Sequence, residues 1–381
     1  MYNIAQVSNI PALRVVSAKA ASEQARLSTG IIGTGNTARA LAVYLSKQGH
    51  RVHFLARSQE KLLFLDKNLE LNSEGKIDGK YAMASASCSA SEFAQVSNVI
   101  FVATITTAYD EIAQRLAPFL HERHRVILFS SKLGGTLLFE ESLRKCGAKV
   151  PLIMETDALF AARIKEDDKT IWIRGFKEWT LFSSSTRTGT IENADFMKQF
   201  FPKLSPAANI IQRGLTDFGA VAHAPIALAN MNLISRKTPF KFYYEGMTEE
   251  TIAFLQAVED EFRNIAAAYG SDLIPMKELL NQYYGCDNST LYSAMTSVPN
   301  YRHSLGPESL QHRFLHEDIC STLVPARQLA QLAGVKTPTL DAIVSLSSVL
   351  TKKDLESEGR SLAGLGFGNK SYKQIRDYVN S

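Results

Sequence analysis

From residue 27 onward the chain alternates short apolar runs with stretches in which apolar side chains recur every three or four positions. The first run, Ser28-Thr29-Gly30-Ile31-Ile32, predicts a strand, and the pattern from Thr37 predicts a helix reaching about Gly49. Strands are expected next over 51–55, 98–103, 125–130 and 150–154, with helices over 108–120 and 137–145 between them. Strand, helix, strand at this spacing specifies a parallel sheet with right-handed crossovers, because parallel neighbours need a long return connection. Two later runs, 170–174 and 180–184, read as an added strand pair that closes this first unit before a helix over 195–201.

Beyond Pro206 the period changes. Phe254, Leu255, Val258, Phe262, Ile265 and Ala266 fall on one helical face, and the stretches 323–333, 340–350 and 372–379 behave in the same way. Pro, Ser and Asn interrupt the pattern between about Pro202 and Arg213, which places the boundary there. The expected organisation is a dinucleotide-binding α/β domain of Rossmann type over 27–205 and an all-helical domain over 206–381. Residues 1–26 carry Arg14, Lys19 and Arg26 among small residues, with apolar fragments no longer than Val15-Val16. They read as an extension ahead of the first domain rather than a signal-peptide core.

Composition narrows the function. With 381 residues, 45% hydrophobic and 21% charged, the chain is long enough for two cores, and disordered or fibrous classes are excluded. Lysine and arginine total 42 against 38 acidic residues, a balance that implies no nucleic-acid partner. No run approaches the about 20 apolar residues that span a bilayer, so no membrane role is expected. Cys88, Cys146, Cys286 and Cys320 stand far apart without a C-x-x-C pair, which argues against structural zinc and disulfides and for a reducing, cytoplasmic setting.

The candidate chemistry begins at Gly33-Thr34-Gly35-Asn36-Thr37-Ala38, directly after the first strand and at the start of a helix. In that context glycines serve a dinucleotide: Gly33 for the turn, Gly35 for close approach of backbone to pyrophosphate, and Ala38 in place of a third glycine for packing. The helix N-terminus then offers unpaired N–H groups to phosphate. The second strand ends Leu55-Ala56-Arg57-Ser58-Gln59-Glu60-Lys61, with no acid at its tip to hold a ribose diol. Arg57, Ser58 and Lys61 instead suit a 2′-phosphate, so NADP is the expected cofactor.

Two stretches of the second half stand out, Gly219-Ala220-Val221-Ala222-His223-Ala224-Pro225 and Gln311-His312-Arg313-Phe314-Leu315-His316-Glu317-Asp318. From about Leu27 to the C-terminus the sequence resembles the opine dehydrogenases of the octopine and nopaline type, and Glu358-Gly359-Arg360-Ser361-Leu362-Ala363-Gly364-Leu365-Gly366 is similar to that family's closing segment. The resemblance implies a dinucleotide-binding domain followed by an all-helical one. It also implies an oxidoreductase that condenses an amino acid with a 2-oxo acid and reduces the resulting imine. By the same resemblance His223 is the proton-transferring group, Asp318 orients it, and Arg313 binds a substrate carboxylate. The residue types suit the task, since histidine ordinarily titrates near neutrality and a planar guanidinium grips carboxylate through two parallel hydrogen bonds.

This chain departs from the family pattern around the histidine. Asp217 and Gly219 stand where asparagines are common, and Ala224 separates His223 from Pro225. His312 and His316 lie four apart with no third ligand in view, so no metal is expected. Two other readings stay open: a two-domain carbonyl reductase of the ketopantoate reductase or glycerol-phosphate dehydrogenase kind, which needs no amine, and a dinucleotide-sensing protein without turnover.

Overall fold

The computed structural model describes residues 27–381; the expected extension over 1–26 lies outside them. Twelve strands follow in chain order: β1 (Ser28–Ile32), β2 (Arg51–Leu55), β3 (Glu70–Gly75), β4 (Gly79–Ala82), β5 (Ser85–Ser87), β6 (Val99–Val102), β7 (Arg125–Phe129), β8 (Leu152–Thr156), β9 (Phe160–Ile164), β10 (Thr170–Phe176), β11 (Thr180–Ser184) and β12 (Leu204–Pro206). Eight of them form one sheet in the order β12-β11-β8-β7-β6-β1-β2-β5. From β8 to β5 all neighbours are parallel, as the strand-helix alternation predicts, and β11 joins antiparallel to β8. The central strands read as continuous apolar runs because helices cover both faces, and Phe101, Ile127, Leu128 and Phe129 are fully buried.

The expected pairing of 170–174 with 180–184 does not occur. β10 belongs to a second sheet of order β4-β3-β10-β9, whereas β11 extends the main one. Ile171 and Ile173 are buried, and β10 runs between β3, parallel, and β9, antiparallel. Its partners are the polar β3 and the short β9, Phe-Ala-Ala-Arg-Ile, neither of which shows an apolar alternation strong enough to read as a strand. The small sheet packs on the Asn36–Lys47 helix, where the Arg39 guanidinium donates to the Asp168 carbonyl at 2.6 Å.

After β12 every element among the described residues is helical, apart from a single bridge between Lys241 and Leu305. The longest, Glu249–Ala268, buries Leu255, Val258, Phe262, Ile265 and Ala266, the face predicted from the sequence. A helix over Arg313–Asp318 passes into a wide π-turn, Ile319–Leu323, and continues as Val324–Ala333. Pro325, one residue into that continuation, has no N–H to donate back into the preceding turn. The backbone N–H of Arg360 donates to Cys320 O at 2.8 Å, and its guanidinium donates to Leu133 O at 2.7 Å. The segment similar to the family's closing segment thus ties the π-turn to the loop after β7. A fully buried pair strengthens the same seam: Arg213 Nε lies 3.1 Å from Glu155 Oε1, and Nη2 donates to Ser131 O at 2.6 Å.

Candidate active site

Two sets of residues converge at the carboxyl ends of β1, β6 and β7. The first builds a cleft of about 600 Å³ lined by Gly33, Thr34, Gly35, Asn36 and Thr37, with Arg57 and Lys61 on its rim. Gly33 has φ +118°, and a Cβ there would stand 2.4 Å from the Ala103 carbonyl oxygen, so sterics alone demand glycine. A Cβ on Gly35 would meet nothing within 4 Å; the space in front of the Asn36–Lys47 helix is open, and its first turn holds no acidic residue. Ala38 is fully buried, consistent with its packing role. These features fit a pyrophosphate at a helix N-terminus.

At the tip of β2, Arg57 is solvated and only loosely balanced by Glu111 at 3.5 Å. Ser58 stands at the start of the short helical turn Gln59–Leu62, makes no capping hydrogen bond with its side chain and does not line the cleft, while Lys61 does. The sequence reading missed Arg115, which lines the cleft and donates to Ala56 O at 3.1 Å and to Cys88 O, bracing the β2 loop. Nothing in the local pattern marks it apart from its basic charge on a helix neighbouring that loop.

The second set is compact and internally satisfied. His223, on the Phe218–Ala229 helix, places Nδ1 2.6 Å from Asp318 Oδ2 and Nε2 2.9 Å from the Tyr243 hydroxyl. Phe314 stacks on the imidazole at 4.0 Å, so the two sequence motifs meet face to face. Lys132, in the loop after β7, reaches between two carboxylates, with Nζ 2.5 Å from Asp318 Oδ1 and 2.7 Å from Asp217 Oδ2. The other Asp217 oxygen caps the His223 helix by accepting from the N–H groups of Gly219 and Ala220 at 2.9 and 3.3 Å. The departure from asparagine at this end of the motif therefore supplies both a helix cap and a partner for Lys132.

Burial opposes the charge on Lys132, yet Asp217 and Asp318 outweigh it and hold the ammonium above its ordinary pKa. Burial likewise opposes the Asp318 carboxylate, but Lys132 and His223 hold it well below the usual range. An ionised Asp318 can only accept, so the proton between it and the imidazole sits on Nδ1, which leaves Nε2 facing the Tyr243 hydroxyl. Burial raises the Tyr243 phenol above its ordinary value and keeps it protonated.

Arg313 is separate from this cluster. Its guanidinium lines the dinucleotide cleft, 62% exposed, and its Nη1 lies 3.2 Å from Glu317 Oε2. Glu317 in turn accepts from the Thr106 N–H at 3.1 Å, which anchors the helical domain to the loop after β6. The two motif histidines diverge: His312 Nδ1 accepts from Phe314 N–H at 3.4 Å, while His316 Nε2 pairs with Glu358 at 2.7 Å. No helix among the described residues is long and apolar enough to cross a membrane.

A glycine-turn cleft facing a buried His-Asp pair across two domains defines a dinucleotide-dependent oxidoreductase. Comparison with known proteins gives the family. The profile described as NAD/NADP octopine/nopaline dehydrogenase, alpha-helical domain, matches residues 206–351, and that of ketopantoate reductase matches 29–145. An opine dehydrogenase of Arthrobacter sp. (strain 1C) is 27% identical over 355 residues, covering 92% of this chain and 98% of the relative. A D-nopaline dehydrogenase of Agrobacterium tumefaciens (strain T37) is 23% identical, with 89% of each chain covered. In fold, an octopine dehydrogenase solved with NADH and agmatine superposes with TM-score 0.75 at 19% identity, covering 93% of this chain and 98% of that one. A yersinopine dehydrogenase solved with NADP+ gives 0.71 at 15% identity over the same shares. The chain belongs to the opine dehydrogenase family, whose cofactor is a nicotinamide dinucleotide.

Proposed function

We propose that the protein is an NADP-dependent opine dehydrogenase that joins the amine of an amino acid to a 2-oxo acid. The observation that carries this reading is His223, pinned through Nδ1 to an ionised Asp318 with Nε2 directed at the Tyr243 hydroxyl. Condensation of amine with ketone releases water and leaves an imine; bound NADPH supplies the hydride that reduces it. His223 Nε2 takes the proton that the attacking ammonium must lose and returns it to the departing carbinolamine oxygen, with Tyr243 relaying or steadying it. Asp318 holds the tautomer and stabilises the imidazolium that forms in between. Phe314 on one face of the ring keeps water from that side.

Arg313, balanced among the described residues by Glu317 alone, supplies the counter-charge for a substrate carboxylate at the edge of the cofactor cleft. The preference for NADP over NAD rests on the absence of an acid at the β2 tip, where Arg57 and Lys61 present two cations to a 2′-phosphate. A second reading, a carbonyl reductase that needs no amine, is supported by the match of the first domain to the ketopantoate reductase profile. One experiment separates them: NADPH oxidation across a matrix of 2-oxo acids and amino acids, with the product weighed by mass spectrometry. A secondary amine formed only when both partners are present is the expected result. Oxidation with the oxo acid alone, giving a hydroxy acid, would replace this reading by the second.

A further inference from the structure

Both partners in opine formation bring a carboxylate, and one exposed arginine at the cofactor cleft serves one of them. A second cavity of about 760 Å³ lies where β10 and the loop after it face the helical domain. Its walls are largely aromatic, from Phe160, Phe176 and Tyr284, and Arg174 is set among them. The other cations of this cavity differ in kind. Lys177 and Lys203 are paired with Asp157 and Glu178, and Lys76 is solvated. Arg174 has no carboxylate partner among the described residues, and its Nε is buried without a hydrogen bond.

The position is built for that side chain. Arg174 occupies the irregular step in the β9–β10 pairing, between Ile173 and Gly175, a device that re-aims a side chain out of the regular alternation. A Cβ at Gly175 would stand 2.6 Å from the Asn300 amide of the helical domain, so the glycine lets that side chain come close beside Arg174. Burial, and repulsion from Arg163 on the neighbouring strand, both work against the guanidinium charge. A half-buried cation with a second cation close by, no acid of its own and only the Trp172 ring at 5.8 Å to offset it is stabilised by an anion from outside.

The wall of the cavity is in contact with the reacting end through packed tyrosines. The Tyr284 hydroxyl donates to that of Tyr301 at 3.0 Å, Tyr301 packs against Tyr243 with ring centroids 4.4 Å apart, and the Tyr243 hydroxyl meets His223 Nε2. We infer that Arg174 is the carboxylate anchor for the amine-bearing substrate, whose side chain lies against the aromatic wall, while Arg313 serves the 2-oxo acid; this assignment rests on the reductive-condensation reading above. Arg174 is then a specificity residue that separates amino acids from amines lacking a carboxylate.

The test compares wild type, Arg174→Gln and Arg174→Lys on a panel of the common amino acids, each beside its decarboxylated amine. In Arg174→Gln the KM for the preferred amino acid should rise at least tenfold. The KM for the 2-oxo acid and the Kd for NADPH should stay within twofold, and the latter also reports correct folding. The wild-type preference for amino acid over decarboxylated amine should collapse, with partial recovery in Arg174→Lys. A surviving preference, or a rise confined to the 2-oxo acid, overturns the assignment. Calorimetric titration of the same panel into the NADPH-loaded proteins reads affinity without turnover. Absence of NADPH oxidation with every pair, or of amino-acid binding to wild type, therefore indicts the reaction, whereas equal amino-acid affinity in wild type and Arg174→Gln indicts Arg174.

Discussion

The cofactor cleft and the His223 cluster meet at the same strand ends yet are built on opposite principles. The cleft is open, made of backbone turns and a rim of solvated cations whose mutual balance is poor: Arg57 finds Glu111 only at 3.5 Å. The cluster is closed, and each of its charges is answered at 2.5–2.7 Å by another that is itself buried. An open rim waits for a ligand and tolerates local change, whereas a closed cluster fails as a unit, because removing one partner strands the charge opposite it. The first part can be tuned for cofactor choice without disturbing the second.

The contrast breaks most visibly at His223. Positioned proton transfer contributes about 10²–10⁴-fold, so His223→Ala should lower kcat by that order with NADPH affinity unchanged, as steady-state kinetics and a cofactor titration would show. Next comes Lys132→Met, which leaves Asp217 and Asp318 unneutralised. A thermal or urea melt should record a loss of about 3–5 kcal/mol, the usual cost of stranding a buried charge. In whatever fraction stays folded, the excess negative charge favours imidazolium, so the limb of the pH–rate profile governed by His223 moves to higher pH. Lys132→Arg should restore much of both; a melt indistinguishable from wild type would show the cluster to be less closed than its geometry.

Smaller effects come from the open side. Arg57→Ala should weaken NADPH by about 1.5 kcal/mol, the low end for a charge-assisted hydrogen bond given its exposure, and leave NADH nearly unchanged; equal losses for both would remove the 2′-phosphate role. The smallest effect is in acid. Asp318 has its folded-state pKa lowered from 3.8, so its contribution to stability is present above about that pH and drains away only as pH falls further toward the folded value. Asp318→Asn should therefore narrow its stability gap to wild type in melts taken at progressively lower pH below 4.

How much of this was legible in the sequence follows the same division. Gly33 to Thr37 and the cations after β2 form a contiguous signal, since a turn between a strand and a helix is decided by local sterics. The central strands β1, β2, β6, β7 and β8 were legible because burial on both faces makes them continuous apolar runs, whereas the three-residue edge strands β5 and β12 carry no such run. The small sheet was not, because β3 is polar, β9 is short without alternation, and β10 finds its parallel neighbour β3 about a hundred residues back along the chain. Lys132 had no local mark either. It acts through residues 85 or more positions away, and its one clue was its place just past the carboxyl end of a central parallel strand. Ser130, two residues earlier and lining the cofactor cleft, holds φ +73°, a conformation that the sequence around it gave no reason to expect.

The strap formed by Arg360 sets an order of events during synthesis. Its guanidinium meets Leu133 O across 227 intervening positions, and its N–H meets the carbonyl freed at Cys320. A nascent chain can complete the main sheet and pack the Glu249–Ala268 helix while residue 360 is still untranslated, but the π-turn and the Lys132 loop then lack the donor that joins them. A chain cut short before Arg360 would keep His223 with Asp318, Tyr243 and Phe314 but would lack the strap between the π-turn and the loop that carries Lys132.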